Sequence, residues 1–380
     1  MDNNEYTSRP DTPQNGQGVP PQAGFQSPYT SCPPYRPYAP DKPAYESPQR
    51  YDGQSVSPPE RAAIKRSYFG TFGRALFHAI GSTIFALIMY SIMELAGYDF
   101  RYTDDGTAII DWIYCIAGAA PSIIMCFSIF LFDKTVSRSR LGSYFNNERI
   151  TAKFTIGFFG VLMLAYAVAV ILQNITISGF FAIGISPLSE SYLTESDFST
   201  KYFIAEVICG VILAPIAEEL MFRGVILRRL SGISQTFAIF ASAAIFGMMH
   251  GNLLQTILGF IIGIVFGYAA VKTGSLLLPI AGHMFINACA TSSEFVEYFI
   301  DEEASQLCWT ILIVMFALIG LIALGAVLAS GKLKFPEYTD YHRKRTFPIV
   351  LSCVSFWILL IVYLIDIISA FGPVTDKLRG

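Results

Sequence analysis

Nine apolar segments follow one another along the chain, most of them about as long as the hydrocarbon core of a bilayer is thick. Lipid offers no hydrogen bonds to an exposed backbone, so such segments are expected to be helices of about 20 residues. The fifth and seventh are short, which leaves eight spans as an alternative. The pattern predicts an all-α polytopic membrane helix bundle, with spans at roughly 75–97, 109–132, 154–176, 203–227, 234–250, 253–271, 275–292, 308–330 and 348–371.

The composition excludes a water-soluble globule, since 53% of residues are hydrophobic and only 14% are charged. Lysine and arginine residues lie before the first segment and after the second, fourth, sixth and eighth, whereas the gaps after the first, third and seventh are acidic. Cytoplasmic loops carry an excess of lysine and arginine. This alternation predicts a multi-pass protein of the cell membrane with a cytoplasmic N-terminus and an external C-terminus. The lipid bilayer is its expected surrounding, and no nucleic-acid partner is expected.

The first 66 residues have a different composition from the rest. They are rich in proline, glutamine, serine, glycine and tyrosine and contain almost no aliphatic residues until their end. Such a stretch cannot bury enough apolar surface to offset its chain entropy. We therefore predict a disordered cytoplasmic tail at 1–66 and a membrane domain at 67–380. The seven cysteines form no CxxC pair, which argues against a disulfide framework or a thiolate metal site.

The fourth segment carries three closely spaced charged residues that a bilayer disfavours: Glu218, Glu219 and Arg223. Glu219 and Arg223 are four positions apart, so they can pair across one helical turn with the carboxylate on the N-terminal side. Glu218 then points about 100° away and can face a cavity. The spacing predicts that Arg223 neutralises and orients one carboxylate while the other can accept a proton. The alternative is that both glutamates reach the membrane interface.

Two later segments add imidazoles and an amide. Phe246 and His250 share one helix face, as do His283 and Asn287. Burying His283 and Asn287 without partners would cost several kcal/mol in hydrocarbon, so both are expected to face the protein interior. A lone histidine at a helix end, such as His250, is more often structural than catalytic. A straight fifth helix starting near residue 231 would also carry His250 too far from Glu218.

The remaining motifs are interpreted as structural. Gly259, Gly263 and Gly267 recur every four residues, a pattern that lets a second helix approach closely. We expect these glycines to pack against the helices that carry the charged residues. His78, near the start of the first segment, and His342, in a basic loop, are expected to have no special role.

Taken together, the motifs resemble those of the CPBP family, the CAAX proteases and bacteriocin-processing enzymes, also called Abi or type II CAAX prenyl endopeptidases. The family pattern is EExxxR on one helix, FxxxH on the next, and HxxxN or HxxxD two helices later. This chain has all three in that order, within about 203–292. The resemblance implies an intramembrane endopeptidase that acts on a peptide or a membrane-protein substrate.

The resemblance also implies roles for the motif residues. Glu218 with His250 would activate a water for attack on a peptide carbonyl. His283 and Asn287 would stabilise the oxyanion that forms, while Glu219 and Arg223 would hold the carboxylates in place. Members of the family are also described as metalloendopeptidases, and Glu218, His250 and His283 could together bind zinc. The chain lacks the compact HExxH spacing of zinc proteases, so we favour a site without a tightly bound metal.

Two other classes of function fit part of the sequence. A non-proteolytic scaffold, immunity factor or regulator of the same family would keep the polar residues for stability, but it needs no paired Glu218 and His250. A proton-coupled transporter would spread polar residues through many helices. The second, third and eighth segments are instead almost purely apolar.

Overall fold

The computed structural model describes residues 58–98, 101–102, 108–188, 194–196, 199–231, 234–299, 301–331 and 347–374. In these ranges the chain is predominantly helical, as predicted for a polytopic bundle. The helices are α1 (Pro58–Leu95), α2 (Trp112–Ser137), α3 (Ala152–Phe181), α4 (200–231), α5 (Gln235–Met248), α6 (Leu253–Thr273), α7 (Leu277–Phe299), α8 (Glu302–Ala329), α9 (Phe347–Leu351) and α10 (Val354–Ser369).

Each of the nine predicted spans coincides with one of these helices, the last being divided into α9 and α10. By length and composition, five helices of the described ranges could cross a membrane: α1, α2, α3, α6 and α8. Helices α5 and α10 are apolar but shorter. Side chains such as Ile156 and Ile322 are exposed on the outer faces of the bundle, as expected where lipid replaces water. The fold is that of a membrane helix bundle.

The predicted tail overlaps the start of α1. Residues 1–57 and His342 lie outside the described residues, but 58–66 form the first two turns of the helix. The apolar run defines only the part of a helix that lies in lipid, and a helix can continue through charged residues such as Lys65 and Arg66. At these positions the expectation of a disordered chain was wrong. His78 consequently lies in the middle of α1.

Helix α4 is continuous but irregular. Two π-helical segments, Val207–Leu213 and Phe222–Leu227, flank the α-helical turns that contain both glutamates. Single π turns inside α-helices are frequent at functional sites, because they change the register of hydrogen bonds along the helix. Arg223 lies in the second of these segments, and the carbonyl of Gly210 lies in the first.

Helices α5 and α6 cross at very short distance. A Cβ atom added at Gly259 would lie 2.8 Å from the Cα of Gly247, and one at Gly263 would lie 3.1 Å from the Cα of Ala243. Gly267 similarly faces Ile239. The repeated glycines therefore make the close helix contact predicted from their spacing. This contact brings the backbone of α6 next to the charged residues of α4.

Two small sheets lie where helices end. Strand β1 (Arg101–Tyr102) pairs antiparallel with β2 (Ala108–Ile110), which pairs parallel with β4 (Thr194–Ser196). Strand β3 (Ile185–Ser186) pairs antiparallel with β5 (Gly372–Pro373). The segments that follow α1, α3 and α10 are therefore brought together by pairing. The ends of these three helices therefore lie on the same side of the bundle, as nine passes would place them.

We expect a reporter fused before Met1 to report a cytoplasmic position and one fused after Gly380 an external position. The reasons are the nine spans predicted from the sequence and the alternation of lysine- or arginine-containing loops with acidic ones. Paired alkaline phosphatase and fluorescent-protein fusions would measure both ends. Two reporters on the same side would contradict the prediction and would indicate an even number of crossings.

Candidate active site

Glu219 and Arg223 form a buried ion pair on α4. The Nη1 of Arg223 donates to Oε1 of Glu219 at 2.6 Å, and neither side chain is exposed. The Nη2 donates to the carbonyl of Gly263 at 3.2 Å, where the missing side chain leaves room for the guanidinium. Rings of Phe246 and Phe266 lie 4.4 and 5.3 Å from the guanidinium carbon. The pairing predicted from the spacing is thus present, and it ties α4 to α5 and α6.

His283 connects the two glutamates. Its Nδ1 lies 3.1 Å from Oε1 of Glu219, and its Nε2 lies 3.8 Å from Oε2 of Glu218. Because the ionised Glu219 can only accept, Nδ1 carries the proton in this contact. The imidazole stacks on Phe266 at 5.4 Å and meets the edge of Phe246 at 5.5 Å. Four contacts therefore fix the ring with Nε2 towards Glu218.

The two adjacent glutamates differ in exposure. The Glu219 side chain is fully buried, whereas 13% of the Glu218 side chain is accessible. Glu218 also interacts electrostatically with His283 and His250. The two carboxylates can therefore have different roles. Glu219 is fixed by Arg223 and His283, whereas Glu218 can be reached by a small molecule such as water.

His250 lies at the turn between α5 and α6. Its Nδ1 is 3.0 Å from the carbonyl of Phe246 and 3.3 Å from that of Gly247. A carbonyl only accepts, so these contacts place a proton on Nδ1 and leave Nε2 for other partners. Helix α5 has only 14 residues, or about 21 Å. His250 interacts electrostatically with Glu218, so the two side chains approach each other, which a straight helix starting near residue 231 would not have allowed.

Asn287 is held by the backbone of α4. Its Nδ2 donates to the carbonyl of Gly210 at 2.8 Å. That carbonyl belongs to the first π-helical segment. One amide hydrogen is used in this bond, so the second remains available to a ligand. As predicted, Asn287 and His283 are directed from α7 into the protein.

His78 also lies in this region, although its position in the sequence did not indicate this. It is 4% exposed, its Nε2 lies 3.1 Å from the hydroxyl of Ser122 on α2, and it interacts electrostatically with His250. The expectation that His78 has an ordinary position near a helix start was wrong, because α1 begins about five turns earlier. The signal that could have found it is an ionisable residue inside an apolar span.

The proposed zinc ligands do not fit a metal site in this arrangement. In the part of the chain that the structure describes, no group of three histidine, cysteine, aspartate or glutamate side chains could hold a metal ion. No catalytic step is therefore derived through a metal ligated by Glu218, His250 and His283.

One segment of the chain is similar to known proteins. Residues 200–289 match the family model described as type II CAAX prenyl endopeptidase Rce1-like. The matched segment contains all three motifs, so the CPBP resemblance is confirmed for it. The chain is also similar to the candidate membrane peptidase YdiL of Bacillus subtilis (strain 168), with 27% identity over 104 residues.

The similarity to YdiL covers 27% of this chain and 43% of the relative. The match thus spans less than half of the relative's length. No solved structure matches the chain significantly. Helices α1, α2 and α10 lie outside the segment matched by the family model.

Proposed function

We propose that the protein is an intramembrane endopeptidase of the CPBP type that hydrolyses a peptide bond with a water activated by Glu218 and His250. The observation that carries the proposal is the position of His283 between the two glutamates, at 3.1 and 3.8 Å. A scaffold has no need of an accessible carboxylate beside a fixed imidazole. A hydrolase needs both, because one group must take a proton while others stabilise developing charge.

In this proposal Glu218 is the general base. As the water oxygen attacks the carbonyl carbon, one water proton passes to the Glu218 carboxylate and is later given to the leaving amine. The Nε2 of His250 accepts a hydrogen bond from the same water and restricts its position. Electrostatic interaction between Glu218 and His250 supports this shared role.

His283 and Asn287 are the proposed oxyanion donors. To donate to the oxyanion, His283 must carry a hydrogen on Nε2 as well as on Nδ1, and this imidazolium form would lie between the carboxylates of Glu218 and Glu219. The Nε2–H is then a charged donor, and the second amide hydrogen of Asn287 is a neutral one. Donors held rigidly in a water-poor site stabilise an oxyanion strongly. Arg223 and Glu219 keep the ring of His283 in place through its Nδ1 contact.

The direct test is hydrolysis of a peptide library by the purified protein in detergent, followed by mass spectrometry. We expect defined cleavage products, and we expect the rate to be unchanged after treatment with 1,10-phenanthroline. The reason is that the described site has no three-residue ligand cluster. Loss of activity with the chelator, restored by zinc, would contradict the metal-free form of the proposal. Absence of cleavage with every peptide would contradict the peptidase assignment for these substrates.

A further inference from the structure

His78 is buried on a helix whose other faces are exposed. Its neighbour Phe77 is 62% exposed, and Ile80 is also on the outer surface, whereas His78 is turned inwards. Ionisable side chains within membrane helices are costly and are usually retained for a function. The inward position of His78 therefore needs an explanation beyond packing.

The hydrogen bonding of His78 is incomplete among the described residues. Nε2 is 3.1 Å from the Ser122 hydroxyl, but the buried Nδ1 has no hydrogen-bond partner there. A buried polar atom without a hydrogen-bond partner lowers the stability of a fold. A leucine of similar size would avoid this cost. The imidazole thus lowers the stability of the bundle, which is the pattern expected of a functional residue.

The contacts of His78 lead to the proposed active site by two routes. On one side it interacts electrostatically with His250 and meets Phe222, whose ring packs on Phe246 at 5.2 Å. On the other side, Ser122 is hydrogen-bonded to the thiol of Cys126, which interacts electrostatically with Glu218. Through these neighbouring side chains His78 is connected to His250 and to Glu218, the two residues that are proposed to hold the water.

We propose that His78 is a positioning residue of this site: anchored by Ser122, its imidazole supports the ring pair of Phe222 and Phe246, on which His250 packs, and so fixes the place of His250. The inference rests on the proposed function. It adds helices α1 and α2, which lie outside the segment matched by the family model, to the catalytic machinery. An imidazole is suited to this place because it is polar without carrying a permanent charge beside His250.

The first test compares His78→Leu, His78→Gln and Ser122→Ala with the wild type in peptide hydrolysis. We expect His78→Leu to lower kcat about tenfold with KM nearly unchanged, since small misplacements of catalytic groups reduce turnover and not ground-state binding. His78→Gln should recover part of the loss through its bond to Ser122, and Ser122→Ala should lower kcat by a smaller factor. The melting temperature of His78→Leu should be equal to or above that of the wild type.

Thr71→Val is the matched control. Thr71 is a buried polar residue of the same helix, about two turns from His78, and its hydroxyl donates only to its own helix at Ser67. We expect its kcat to be unchanged. A wild-type kcat in His78→Leu, or an equal loss in Thr71→Val, would overturn the inference. If Glu218→Gln abolishes hydrolysis while His78→Leu does not lower kcat, this inference fails and the proposed function stands.

The second test needs no substrate. The chain has four histidines, so protein labelled with ¹⁵N-histidine gives few imidazole signals, which single substitutions can assign. We expect His78→Leu to shift the imidazole signals of His250 at constant pH, while those of His342 stay in place as an internal control. Unchanged His250 signals would overturn the inference independently of any result on hydrolysis.

Discussion

Replacing Glu218 by glutamine is expected to reduce peptide hydrolysis by about 10²–10⁴-fold while the protein remains folded. Glutamine has the shape of glutamate but cannot take a proton from water. Glu218 is the more accessible of the two adjacent carboxylates, and the ion pair that fixes α4 is made by Glu219. The variant should therefore lose turnover without losing the helix contacts. The measurements are cleavage rate and thermal unfolding in the same detergent.

Glu206→Gln is the matched control for this experiment. Glu206 is also a glutamate of α4, but it lies about three turns before Glu218 and contacts the Cys115 thiol at 3.4 Å. We expect wild-type hydrolysis from this variant. Wild-type hydrolysis by Glu218→Gln would refute the role of Glu218 as general base. An equal loss in both variants would indicate a general effect of charge on α4.

The helix bundle could be predicted from the sequence because lipid imposes a simple rule. A span must be apolar and long enough, and each of the nine predicted segments is a helix in the structure. The limits of α1 could not be predicted in this way, because hydropathy does not detect helical turns such as 58–66 outside the apolar run. The π-helical segments of α4 could not be predicted either, since a single π turn changes the hydrophobic periodicity of a helix too little to be detected in the sequence.

The site was predictable where one helix determines the geometry. Glu219 and Arg223 pair because they are one turn apart, and Asn287 shares a face with His283 for the same reason. Contacts between helices were not predictable from spacing. The approach of His283 to both glutamates depends on how α7 crosses α4, and the approach of His78 to His250 depends on α1. The combination of residue types identified the site, and the crossing of the helices determines which imidazole faces which carboxylate.

Replacing Arg223 by methionine is expected to lower the free energy of unfolding by about 3–5 kcal/mol and to abolish hydrolysis. The change leaves the buried Glu219 without its countercharge. It also removes the bond to the Gly263 carbonyl and the contacts with Phe246 and Phe266. Thermal or denaturant unfolding in detergent measures the effect. Arg229→Met is a matched control on the same helix.

Arg229 pairs with Asp133, but its side chain is 24% exposed and Asp133 has a second partner in Arg74. Its loss should therefore cost only about 0–1 kcal/mol. The double variant Glu219→Gln with Arg223→Met provides the decisive comparison. It removes both charges and keeps an oxygen that can accept from Nδ1 of His283, so it should be more stable than Arg223→Met alone. If the double variant were the less stable of the two, the uncompensated charge of Glu219 would not be the cause. The role of Arg223 would then lie in its packing between Phe246 and Phe266 and not in neutralising Glu219.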